Sequence, residues 1–240
     1  MGAEKQKLAL DWIYRWGWSS PTILDIVTSG ARSGISLRLL RNKLLIDTAT
    51  ASGGVQDTPK KLLTLSQSGL EEVTRECLYL INYEIDAYRI DQSKLRHDGL
   101  TQLATARALK SGAITSFKTP HELAARSAKN IKQPDVLWIK SDGTRIGVEL
   151  ELSPKWERKL DQFVQSCIDS LNNDNENRVN AVHEIYLITD SKAIVERYSK
   201  AFTPGKKYSY WEKNSGNYWV TDSMFVVPSW MEGKVICDLI

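Results

Sequence analysis

Cysteine is scarce: Cys77, Cys167 and Cys237 are the three in 240 residues, far apart and without metal-ligand spacing. An odd number so placed argues against a disulfide framework and a cysteine-held zinc; buried thiols in a cytoplasmic protein are the expectation. Histidine is equally sparse, and His97, His121 and His183 do not cluster in the sequence. No apolar run approaches the roughly 20 residues that cross a bilayer, so no membrane insertion is expected. The opening Met-Gly-Ala-Glu-Lys-Gln-Lys reads as no secretion signal, and Gly2 is not followed by the serine or threonine of a myristoylation signal. Excess charge is also lacking. A net charge of +3 excludes a polybasic tail protein, so any nucleic-acid surface must be a local patch balanced by acids elsewhere. What remains, 42% hydrophobic and 25% charged residues, is ordinary for a globular protein. The length admits one large domain, or a small module and a medium one.

The most informative stretch runs from Gln133 to Lys159. Val136-Leu-Trp-Ile139 after Pro134-Asp135 predicts a strand, and Ser141-Asp-Gly-Thr144 a hairpin turn, because Asp-Gly tolerates the positive φ of a tight reversal. Arg145 to Leu152 predicts the return strand. Strand side chains alternate faces, so Glu149 and Glu151 share one face while Val148, Leu150 and Leu152 take the other. The hairpin returns Asp135 toward that pair. Three carboxylates on one sheet edge repel one another, and a hard divalent cation with oxygen ligands relieves the repulsion. A bland alternative is a strand edge of solvated acids.

These residues resemble the active site of the PD-(D/E)xK superfamily, the restriction-endonuclease-like nucleases. Asp135 matches the first acid and Glu149 the second, while Glu151 stands where lysine is commonest. The strand therefore lacks the usual cation. Lys155 or Lys159, expected four residues apart on one face of the next helix, is placed to supply it.

Upstream, Glu4 to about Glu76 predicts helix, helix, helix, hairpin, helix. Leu8, Leu10, Trp12, Ile13 and Trp16 mark an amphipathic first helix ending at Gly17, and Ser19-Ser20-Pro21 starts the second. The third is expected across Leu37–Ile46, with Arg38, Arg41, Asn42 and Lys43 on its polar side. Ala51-Ser-Gly-Gly54 with Lys60 and Lys61 reads as a wing, and Leu63 to Gly69 as the strand-then-helix that closes many winged-helix domains. In a helix-turn-helix the second helix of the motif lies in the major groove, a role that suits Arg32, Arg38, Arg41, Asn42 and Lys43. A helical bundle with solvated basic residues is the alternative.

Downstream, the segment from Tyr79 to Arg89 is a helix or a strand. Leu95–Leu109 predicts a helix, Ile114–Phe117 a strand, His121 the start of a helix, and Pro154–Leu171 an amphipathic helix. Asn172–Asn177 reads as a polar loop, Glu184–Thr189 as a buried strand, Ser191–Phe202 as a helix and Tyr218–Val227 as a final strand. The expected fold is α/β, with a winged helix-turn-helix domain over residues 1–78 and a restriction-endonuclease-like core over 79–240.

The winged-helix front, the Leu95-x-His97-Asp98 helix, Pro134-Asp135 and Glu149-Leu-Glu151-Leu-Ser together resemble the replication-relaxation proteins and the MOBC class of plasmid mobilization relaxases, over nearly the full length. The resemblance implies metal-dependent nicking of one strand of double-stranded plasmid DNA at an origin of transfer. It also implies a relaxosome with an accessory protein and a coupling protein. That class lacks the histidine triad of common relaxases, as does this chain. On this view Asp135, Glu149 and the Leu150 carbonyl hold Mg²⁺ or Mn²⁺, and His97 is a further candidate ligand that favours Mn²⁺. Glu151 ligates metal or orients the nucleophile, which is water or a tyrosine. Two rivals stay open: a non-catalytic DNA-binding regulator, and an endonuclease that cuts both strands.

Overall fold

The computed structural model describes residues 2–28, 34–76, 81–124, 133–172 and 182–240. The chain is mixed α/β, with eight α-helices and three sheets among the described residues. It divides into two compact units, Met1–Glu122 and Leu123–Ile240. The expected border after residue 78 lies outside the described residues, and the helix over Leu95–Ser111 belongs with the first unit. Arg32 and Cys77 also lie outside them.

The first unit opens with α1 (Gly2–Trp16), which buries Leu10, Trp12, Ile13 and Trp16 at helical spacing. Gly17, at φ +83°, ends it in a conformation that glycine adopts without strain. Ser19 then exchanges backbone hydrogen bonds with Leu63, a one-residue strand between helices. Helix α2 (Pro21–Thr28) follows, the Ser20 hydroxyl accepting from Ile23 N at 3.4 Å. Helix α3 covers Ile35–Arg41 and stops earlier than the expected Ile46. Lys43 takes φ +59°, its N–H bonds Leu40 O at 3.0 Å, and Leu44 N bonds Leu39 O at 2.9 Å. That pair of reversed bonds satisfies the last helical carbonyls and turns the chain out of the helix. Leu45 and Ile46 consequently enter strand β1 (Leu45–Ala49), paired antiparallel with β2 (Lys61–Leu65). Helix α4 (Gln67–Glu76) is capped by the Ser66 hydroxyl, which accepts from Gly69 N at 3.0 Å. A Cβ at Gly69 would lie 2.0 Å from the Leu44 carbonyl oxygen, so only glycine allows this approach.

Residues 81–86 form neither helix nor strand, and Ala87–Arg89 is a short 3₁₀ turn. Helix α5 (Leu95–Ser111) buries Leu95, Leu100, Gln102 and Ala106, and ends at Gly112. Strand β3 (Ser116–Lys118) begins two residues later than expected, and α6 (Pro120–Ala124) follows.

In the second unit β4 (Val136–Ile139) and β5 (Arg145–Leu150) form the expected antiparallel hairpin. Strand β5 then pairs parallel with β6 (Glu184–Thr189), which pairs parallel with β9 (Val235–Leu239). A parallel pair needs a crossover, supplied here by α7 (Glu157–Leu171). Helix α8 (Lys192–Ala201) follows β6, and β7 (Lys207–Lys213) pairs antiparallel with β8 (Trp219–Val226). The core sits between the helices and one sheet face, where Leu137, Phe163, Val164, Leu187, Ile194 and Tyr198 pack together. Within the expected polar loop, residues 173–177 lie outside the described residues.

Candidate active site

Two interrupted patterns shape the end of the hairpin. Strand β5 ends at Leu150, although Glu151 N still donates to Ile188 O at 2.9 Å. Helix α7 starts at Glu157 rather than at Pro154, because Trp156 is extended (φ −127°, ψ 152°) and Glu157 takes φ +43°. Lys155 therefore precedes the helix. It does not share a helical face with Lys159, contrary to the expectation.

Glu149 and Glu151 are both buried, at 8% and 7% exposure. Alternation puts them on the face that carries Leu137 and Leu187, toward the helices. Asp135 lies one rung beyond the Val136–Val148 pair, across from Glu149, with its N–H bonded to Val148 O at 2.9 Å. Its Oδ2 accepts from Leu150 N at 2.8 Å, which holds the carboxylate against the end of β5. Lys155 Nζ forms an ion pair with Glu151 Oε1 and lies 4.5 Å from the Phe163 ring centroid. The cation missing from the strand is thus delivered by the loop after it. A buried carboxylate without such a partner would carry a large desolvation cost. Lys159 is exposed in the first turn of α7, its N–H bonded to Trp156 O at 3.0 Å.

Sequence reasoning did not single out two neighbours of this pair. The Tyr198 hydroxyl, on α8, accepts from Lys155 N at 3.3 Å; burial, then the Glu151 charge, raises its pKa above the usual tyrosine range. Arg197 Nε donates to Lys155 O at 3.0 Å. Both arrive from a helix more than 40 residues away, and no local signal marks them. Tyr198 is 1% exposed, so its oxygen is badly placed to attack a phosphodiester.

Donor chemistry suits a hard divalent cation, since Asp135 and Glu149 offer carboxylate oxygens on facing rungs and Leu150 a backbone carbonyl. Among the described residues, however, no group of three or more histidine, cysteine, aspartate or glutamate side chains is placed to hold a metal ion. The Leu150 N–H engages Asp135 and Lys155 engages Glu151, so the expected meeting of three carboxylates reduces to two across one ladder. His97 lies on α5 in the first unit, its Nδ1 3.0 Å from Asp98 Oδ1 and Thr101 Oγ1 donating to its carbonyl at 3.0 Å. Gln102, on the same helix, is fully buried and bonds Trp12, Trp18 and Ser19, a structural role.

Of the expected DNA-contacting residues, Arg32 lies outside the described residues, and Arg38, Arg41, Asn42, Lys43, Lys60 and Lys61 are exposed. Arg38 and Arg41 project from α3, Asn42 caps it, Lys43 turns the chain, and Lys60 and Lys61 stand at the start of β2. Arg38 also donates to Gly2 O at 2.9 Å, and Lys61 pairs with Asp47 across the hairpin. Comparison with known proteins yields no matching family model, no matching curated protein and no matching solved structure.

Proposed function

We propose that this protein is a metal-dependent DNA endonuclease that nicks one strand at a plasmid origin of transfer, initiating conjugative mobilization. The observation that carries the proposal is the end of the β4–β5 hairpin. Buried Glu149 and Glu151 share one face, Asp135 stands one rung across, and Lys155 sits on Glu151. Two acids and a cation at that point of a mixed sheet are what a PD-(D/E)xK nuclease uses, here with the lysine moved four residues along the chain. The order β4, β5, α7, β6, α8 supports a restriction-endonuclease-like core. For the first unit, the order α1, Ser19 bridge, α2, α3, β1, β2 supports a winged helix, with the bridge as its short first strand.

Asp135, Glu149 and the Leu150 carbonyl would hold Mg²⁺ or Mn²⁺, which supplies a stronger nucleophile at neutral pH and a counter-charge for the leaving oxygen. Glu151 orients the attacking water, and Lys155 fixes Glu151 and steadies negative charge on the phosphate. In the cytoplasm the protein would act beside an accessory protein and a coupling protein on double-stranded plasmid DNA. No helix among the described residues is long and apolar enough to cross a membrane. One observation favours a second reading, a non-catalytic DNA-binding regulator: Asp135 and Glu151 are already engaged by the Leu150 N–H and by Lys155.

Supercoiled origin plasmid incubated with protein and Mn²⁺ separates these readings. Nicking yields relaxed circles, a double-strand cutter yields linear DNA, and a regulator leaves the supercoil intact. Asp135→Ala and Glu149→Ala are each expected to abolish cleavage while binding stays within about threefold. Cleavage by either variant at the wild-type rate would remove these acids from the chemistry.

A further inference from the structure

Beyond the acidic hairpin, the second unit exposes large aromatic rings paired with cations. Trp156, the N-cap residue of α7, is 60% exposed, and the Arg197 guanidinium lies 3.5 Å from its ring centroid. Trp219, at the start of β8, is 39% exposed, with Arg158 at 4.9 Å and Lys213 at 5.4 Å from its ring. Tyr218, beside it at the hairpin end, is 73% exposed. Arg158 is in the first turn of α7, two residues from Trp156, so both tryptophan–cation pairs stand at one end of that helix. Lys213 faces Trp219 across the β7–β8 ladder.

A ring of this size left in water forgoes the stabilisation that burial would bring. Two further features concentrate here. Glu157, between Trp156 and Arg158, holds a left-handed conformation, which is strained for a non-glycine residue. Arg158 Nε is buried with no hydrogen-bond partner among the described residues. Strain and an unpaired guanidinium nitrogen thus accompany the presentation of two rings, each with a positive charge against it. The three cations against the rings and exposed Lys159 nearby outnumber the acids of the same stretch, Glu157, Asp161 and Glu212.

We infer that Trp156 and Trp219, with Arg158, Arg197 and Lys213, form a platform that binds an unpaired single strand of DNA. Duplex bases hide their faces in the stack, whereas an unpaired strand offers base faces to the rings and phosphates to the cations. Arg197 ties this surface to the candidate site, because the same guanidinium that stacks on Trp156 donates to the Lys155 carbonyl. Resting on the proposed nicking function, the platform would deliver a melted strand to Lys155 and Glu151, making unpaired DNA the form of substrate cut.

The test uses the full chain without divalent cation, so that binding is read apart from cleavage. Labelled oligothymidylate and a duplex of equal length are titrated into wild type, Trp156→Ala, Trp219→Ala and the two Trp→Phe variants. Each alanine is expected to raise the Kd for the single strand about 5- to 100-fold and phenylalanine to restore most of it, with duplex affinity changing less than about twofold. Unchanged single-strand affinity in both alanine variants overturns the platform, as does an equal loss for single strand and duplex. Because both rings are at the surface, thermal melting of the variants should match wild type; were an alanine variant to melt early, its phenylalanine counterpart decides. Should wild type fail to cleave the plasmid while the tryptophan variants lose single-strand affinity, the nuclease reading falls and the platform stands.

Discussion

Lys155 and Lys159 look interchangeable in the sequence, and their surroundings separate them. Lys155 pairs with a glutamate that is 7% exposed and packs on Phe163, while its carbonyl and amide are held by Arg197 and Tyr198. Lys159 is exposed at the first turn of α7. Methionine keeps the aliphatic stem and removes the charge at either position. Lys155→Met should lower the cleavage rate by about 10²-fold, the usual effect of losing one preorganised charge-stabilising group. Lys159→Met should stay within about threefold. Single-turnover rates on the origin plasmid check both. Equal losses at the two positions would mean that the Glu151 ion pair is not what matters.

Helix α3 matters as an element because its length is fixed by its end. The reversed hydrogen bonds at Lys43 and Leu44 stop it at Arg41, so Arg38 and Arg41 lie one turn apart on its exposed side, with Asn42 and Lys43 in the turn after them. Replacing Arg38 and Arg41 by alanine should weaken origin binding and flatten its dependence on salt by about 0.9 in log–log slope for each phosphate no longer neutralised. A slope unchanged across salt concentrations would take α3 out of the interface. The same helix shows how far local pattern carries. Leu37, Leu39, Leu40, Leu44, Leu45 and Ile46 continue an apolar run in the sequence, and nothing in that run announces a left-handed lysine. The β4–β5 hairpin is legible because Asp-Gly and strict alternation are local signals, and with it the shared face of Glu149 and Glu151. Strands β7 and β9 carry no such signal: β7 is a polar and aromatic stretch, and β9 a five-residue edge strand. The surroundings of Lys155 are also beyond local pattern, since Arg197 and Tyr198 arrive through packing of a helix more than 40 residues away.

At the scale of the whole molecule, burial of tyrosines sets an alkaline limit. Tyr186 donates to Asp238 at 2.8 Å, and burial, then that carboxylate, pushes its pKa from 10.0 up to about 12. Tyr208 donates to the Ala201 carbonyl at 2.7 Å and is likewise pushed to about 12, by burial and then the Asp161 charge. Tyr198 is raised too, by burial and then Glu151. In each case the fold favours the protonated hydroxyl. Where the folded pKa lies above the unfolded one, the stabilisation is complete below the unfolded value, near pH 10, and is lost as pH rises toward 12. The urea midpoint of the second unit should therefore hold steady up to about pH 10 and fall steeply from there to about pH 12. Tyr208→Phe tests the cause. It removes the hydrogen bond to Ala201, lowering stability near neutrality by about 1 kcal/mol. It also removes one group that titrates, so the alkaline decline should be shallower than in wild type. A variant that loses stability near neutrality yet declines as steeply above pH 10 would show that Tyr208 does not contribute to the alkaline limit.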